Sequence, residues 1–149
     1  MQLQWDANSE ADLLGYRMYR STQSGFGYQA IGEITCPPED TSCCTFTDDT
    51  ILPRETYYYV ATAYDSEELE SGFSNEVNYT GVCPGDVNGD GNRDILDAGL
   101  ILNHTVNLFP LTGLDLEAAD VNGDGAVNVL DAQHLKNHIV GTDLLDACN

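Results

Sequence analysis

Basic residues are scarce in this chain: 5 lysines and arginines face 25 aspartates and glutamates, for a formal net charge of −20. A surface of that sign repels polyphosphate and anionic lipid, so neither nucleic acid nor direct membrane insertion is expected. No run of about 20 apolar residues is present, which excludes a transmembrane helix. The opening stretch MQLQWDANSE lacks both the basic start and the apolar core of a signal peptide. Catalytic signatures are missing as well: there is no HExxH, nucleophile elbow, phosphate loop or Cys–His pair in a catalytic setting. No enzyme is expected from these residues.

Apolar residues are plentiful, at 42% of 149 positions, enough for one ordinary core or two small ones. Five cysteines point to an oxidising compartment. Cysteine content and the missing leader agree if the chain is the C-terminal part of a larger exported protein, with Met1 an added start. Extracellular localisation, secreted or surface-attached through a partner, is the expectation.

The first half is strand-like. Leu3–Trp5, Leu14–Arg20, Tyr28–Ile34 and Tyr57–Tyr64 are short aromatic or β-branched runs, separated by Asn, Asp, Ser, Gly and Pro. Alternation places Tyr57, Tyr59, Ala61 and Ala63 on one face. Trp5, the stretch Gly15-Tyr16-Arg17-Met18-Tyr19-Arg20-Ser21, the turn Ile51–Tyr57 and the lead into a last strand at Gly72–Val77 together resemble a fibronectin type III module. The resemblance implies an immunoglobulin-like sandwich with Tyr57 as its tyrosine corner. It also implies a first strand before the tryptophan, yet only four residues precede Trp5, so that strand is expected to be missing. The family's Thr-x-Tyr spacing is shifted here, with Thr56 one place late.

After about residue 82, glycine-rich acidic loops alternate with helix-length segments near Ile95–Val106 and Val129–Val140. The loops are DVNGDGNRDILD at 86–97 and DVNGDGAVNVLD at 120–131, offset by 34 residues. Ca²⁺ takes about 6–8 oxygens, and a twelve-residue loop supplies them from positions one, three, five, seven, nine and twelve, with glycine turning at six. In the first copy these are Asp86, Asn88, Asp90, the carbonyl of Asn92, Asp94 and Asp97, around Gly91. In the second they are Asp120, Asn122, Asp124, the carbonyl of Ala126, Asn128 and Asp131, around Gly125. Every place is filled twice, so two Ca²⁺ ions are expected. They would offset part of the negative charge. Position twelve is aspartate in both copies, one methylene shorter than the usual glutamate, so the loops must close tightly.

The copies match beyond their ligands: Leu96-Asp97-Ala98 answers Leu130-Asp131-Ala132, Asn103-His104 answers Asn137-His138, and Val106 answers Val140. VCPG before Asp86 cannot form an entering helix, and Gly113–Ala119 leaves room for a short one at most. Two loop–helix units built in this way resemble a type I dockerin over residues 84–142. The expected organisation is an all-β fibronectin III/immunoglobulin-like sandwich at 1–81 followed by a small all-α dockerin at 82–149.

The dockerin resemblance implies a cohesin module of a scaffolding or cell-surface protein as partner, a protein monomeric when free, and a role anchoring the parent chain, with the sandwich as spacer. It places recognition at loop positions ten and eleven and two turns further on: Ile95, Leu96, Leu102 and Asn103 in one copy, Val129, Leu130, Lys136 and Asn137 in the other. Helical spacing offers Ala98, Ile101 and Thr105, with Ala132, Leu135 and Ile139, as the core face instead. Leu96 and Leu130 are open between core and interface.

Cys83 and Cys148 bracket the calcium module and pair if its ends meet, closing a loop of 148 − 83 = 65 residues. Cys36 pairs with Cys43 or Cys44 across TCPPEDTSCC, leaving one cysteine over. His134 and His138, four apart on a helix, lack a third zinc ligand nearby. A second reading is a carbohydrate- or surface-binding adhesive module with structural calcium, for which Tyr58 and Tyr64 are the aromatic candidates. A third makes the chain the tail of a glycoside hydrolase or peptidase.

Overall fold

The computed structural model describes residues 1–36, 43–145 and 148. These form two compact units: residues 1–51 with 55–80, and residues 52–54 with 81–149. Leu52–Arg54 thus group with the second unit, on the far side of the expected 81/82 boundary.

Among the described residues the first unit is built from six strands. The first is β1 (Gln2–Gln4), followed by β2 (Leu13–Ser21) and β3 (Gln29–Thr35). The others are β4 (Thr45–Thr47), β5 (Thr56–Asp65) and β6 (Val77–Thr80). All pair antiparallel, in a two-stranded sheet β1-β4 and a four-stranded sheet β3-β2-β5-β6. Taking β1, β2, β5 and β6 as strands B, C, F and G, the adjacency C-F-G is that of a fibronectin III or immunoglobulin sandwich. Among the described residues β1 pairs on one side only, with β4. Gly15 allows β2 to pass close to its neighbours, because a Cβ there would lie 2.2 Å from the carbonyl oxygen of Ile34.

Between the sheets, Leu3 of β1 packs with Met18, Tyr57 and Tyr59, flanked by Phe46 of β4. A second patch joins Leu13, Tyr16, Cys36 and Cys44, with Trp5 edge-on to Tyr16 at 5.2 Å between ring centres. Tyr57 and Tyr59 face inward as the alternation requires. The opposite face of β5 is covered too: Thr62 bonds Glu70, and Tyr64 lies under Arg17, 4.6 Å from its ring centre. Tyr57 carries Arg20 over its ring in the same way.

Asp48 is a buried charge of this unit. It pairs with Arg20 at 2.7 Å and accepts from the Tyr59 hydroxyl at 3.0 Å and from the Thr50 N–H and hydroxyl. Burial alone would raise its pKa, but the bonds from Thr50, Tyr59 and Arg20 outweigh burial and hold the carboxyl below its usual range. A depressed folded-state pKa stabilises above the unfolded value, near 4, and that stability disappears as pH falls through the folded value. Acid unfolding of this unit should therefore begin below about pH 4 and shift in Asp48→Asn. Asp48→Ala, which strands Arg20 and Tyr59, should cost about 3 kcal/mol by denaturant titration.

Among its described residues the second unit holds three helices, α1 (Ile95–Thr105), α2 (Gly113–Ala119) and α3 (Val129–Ile139). Its core unites Val87 and Val121 from the two loops with Ala98 and Ile101 of α1, Ala119 of α2, and Ala132 and Leu135 of α3. Two of the expected core positions fall outside it: Thr105 and Ile139 are exposed. They lie in the last turns of α1 and α3, one turn beyond Ile101 and Leu135, where the shared core has ended.

Candidate functional site: two loop–helix repeats

Each loop folds by the same local bonds. Asn88 Oδ1 accepts from Asp90 N and Asp90 Oδ1 from Asn92 N, while Asp86 Oδ2 accepts from Gly91 N. In the second copy Asn122 Oδ1 accepts from Asp124 N, Asp124 Oδ1 from Ala126 N, and Asp120 Oδ2 from Gly125 N. Gly91 and Gly125 take φ of 86° and 84°, a left-handed turn that a side chain would strain. These bonds hold Asp90 below the usual carboxylate range, the Asn92 N–H being the largest contributor.

Position nine caps the helix. Asp94 accepts from Leu96 N at 2.7 Å, and Asn128 accepts from Leu130 N at 2.8 Å. The aspartate at position twelve completes a reciprocal capping box in both copies. Asp97 accepts from Val87 N, Asn88 N and Asp94 N; Asp131 accepts from Val121 N, Asn122 N and Asn128 N. Both carboxylates are fully buried, and among the described residues neither has a cationic side chain at ion-pair distance. A buried carboxylate held only by backbone N–H groups fits a nearby cation. The Asp86 carboxylate offers another such sign, since its Oδ1 is buried without a hydrogen-bond partner.

The fit is of donor set and loop geometry. Among the described residues the loop carboxylates do not converge; the one trio of Cys, His, Asp or Glu ligand atoms within 4.8 Å is Cys36, Cys43 and Cys44. Asn88 and Asn92 also turn amide groups toward Asp90, and the Ala126 carbonyl accepts from Asn128. A bound Ca²⁺ would supply the charge to draw such oxygens together, with Asp86, Asn88, Asp90, the Asn92 carbonyl, Asp94 and Asp97, and their second-copy counterparts, as the residues that would hold it.

The aliphatic pairs before each closing aspartate are on the surface: Ile95 is 63% exposed, Leu96 62%, Val129 60% and Leu130 59%. This decides Leu96 and Leu130 against the core. Leu102 and Lys136 are exposed, and Asn103 and Asn137 are half-buried. Asn103 and Asn137 spend their carbonyls on the turns that follow each helix, accepting from Leu108 N and Thr142 N respectively.

Residues 84–140 match the dockerin type I domain family. They form a type I dockerin. Dockerins bind calcium and act in calcium-dependent protein–protein interaction, generally with cohesins. Neither a dockerin nor a fibronectin III-like module is catalytic. The chain is also similar to an Fn3-like protein from Clostridium thermocellum, at 30% identity over 52% of this chain and 71% of that one, with a TM-score of 0.41. A beta-1,2-glucanase from Parabacteroides distasonis is 25% identical over 64% of this chain but only 12% of its own, with a TM-score of 0.40. Both scores are low, and the sandwich is recognised by its strand order instead. No curated protein matches the chain.

Several groups that position the dockerin were not assigned that role from the sequence. His104 Nδ1 accepts from Leu111 N at 2.9 Å, and His138 Nδ1 accepts from Leu145 N at 3.1 Å. Each tethers the segment after its helix, seven residues on. Repetition of Asn-His in both copies was the available clue. His138 is thereby committed, and His134 lies 3.5 Å from Asp143, so the pair is not arranged as a zinc site. His104→Ala and His138→Ala should each lower stability by about 1 kcal/mol. Arg54 likewise serves the first loop, donating to the Val87 carbonyl at 3.3 Å and pairing with Asp115 at 3.1 Å. Cys83 and Cys148 are joined, with Cα atoms 5.4 Å apart, and Arg93 at position eight reaches the Cys148 sulfur.

Proposed function

We propose that this chain is a cohesin-binding anchor: two Ca²⁺ ions lock the dockerin loops, and the α1 and α3 surfaces dock on a cohesin of a scaffolding or cell-surface protein. The sandwich at 1–81 serves as spacer or support for an exported parent, and the chain is monomeric when free. The observation that carries the reading is the exposure of Ile95-Leu96 and Val129-Leu130 at the start of both helices. Carbohydrate adhesion is weaker, because Tyr64, one of its two aromatic candidates, is only 6% exposed and lies under Arg17.

Capture of the chain by a panel of cohesins, with and without EGTA, tests the proposal. Calcium-dependent capture by at least one cohesin is expected, and its absence across the panel would sink the reading. Unlike residues at matching places, Leu102 against Lys136 and Gly99 against Gln133, make one face dominant. Ile95→Asp and Val129→Asp should then differ, one weakening binding about 30-fold, a loss of roughly 2 kcal/mol. If both singles bind normally and only the double fails, the two faces are interchangeable.

A further inference from the structure

The sandwich unit holds a group of residues that its role as a spacer does not use. Cys36, Cys43 and Cys44 bring three sulfur atoms within 4.8 Å of one another. One bond is made among them, between Cys36 and Cys43, and Cys44 remains a buried thiol. Cys36 and Cys44 both belong to the core patch of Leu13 and Tyr16, and the backbone of each is tied down. Cys36 N donates to the Leu14 carbonyl at 2.7 Å, and Trp5 N donates to the Cys44 carbonyl at 3.2 Å. Cys43 sits at the margin of that patch and is half-buried.

Chain entropy does not separate the alternative pairings. Cys36–Cys43 spans 7 residues, and Cys36–Cys44 would span 44 − 36 = 8, a negligible difference in closure cost. Bonding to Cys44 would join two residues that are already fixed in the core, and it would move the thiol to the most exposed of the three.

We propose that these cysteines form a thiol–disulfide exchange site that takes up a small-molecule disulfide at Cys43. Cys44 gives up its proton to solvent hydroxide, and the thiolate attacks Cys36 Sγ. The Cys36–Cys43 bond breaks, and its electron pair leaves on Cys43 Sγ. One disulfide and one thiol exist before and after, so no oxidant is consumed. The Cys43 thiolate then attacks a disulfide R–S–S–R, forming Cys43–S–S–R and releasing R–S⁻.

The test uses the full chain and oxidised glutathione at mildly alkaline pH without reductant, quenched with acid and mapped by peptide fragmentation. The expected product carries glutathione on Cys43 and a Cys36–Cys44 bond. Cys44→Ser should take up at least tenfold less, and Cys43→Ser should form Cys36–Cys44 with no free thiol. Glutathione on Cys44 with Cys36–Cys43 intact, glutathione on Cys36 beside a Cys43–Cys44 bond, or uptake no greater than in Cys44→Ser would each overturn the proposal. If Cys43→Ser fails to fold, the position of the adduct on the unsubstituted chain still decides.

Discussion

Asp97→Ala and Asp131→Ala are each expected to destabilise the dockerin by about 3–5 kcal/mol, the range for leaving a buried charged network without one partner. Each aspartate closes its loop by accepting three backbone N–H groups, two near the loop's beginning and one at the helix cap. Alanine would strand those donors, Val87 N and Val121 N at buried positions, and remove the charge at position twelve. If the carboxylate is also a calcium ligand, as proposed above, the loss should be greatest with metal present. Denaturant titration followed by circular dichroism, in excess Ca²⁺ and again in EGTA, measures both effects. Unsubstituted protein should lose most of its dockerin stability in EGTA, because binding free energy at such loops is folding free energy. The variants should respond far less. A variant that loses under 1 kcal/mol and keeps a full calcium response would show that position twelve is dispensable.

Cutting the clasp is the second large effect. Cys83→Ser with Cys148→Ser frees a loop of 65 residues, and the chain-entropy estimate puts the cost at about 4 kcal/mol. Reduction of the unsubstituted chain should reproduce the loss. Because the clasp restrains the unfolded chain chiefly, the variant's folded dockerin should still bind calcium and a cohesin at saturating metal. A variant as stable as the oxidised parent would show that the ends meet without the bond.

The strand runs were legible because side-chain alternation and turn residues are local signals. The exception is β4: Thr45–Thr47 is too short to show a period, and it is a strand only because β1 lies beside it. The helices after each loop were equally legible, down to short α2 at Gly113–Ala119. Periodicity overreached at Thr105 and Ile139, since it gives a face but not where the neighbouring helix stops.

For the site, the division follows range. Turn glycines and the acidic spacing of each loop act within twelve residues, so the sequence alone determined them. Tertiary packing alone decided that Leu96 and Leu130 face solvent, that His104 and His138 hold distant backbone, that Tyr64 lies beneath Arg17, and that Cys36 bonds Cys43 while Cys44 waits beside it. Each of those outcomes depends on which surfaces meet, and a burial choice between two equally apolar faces has no local signature.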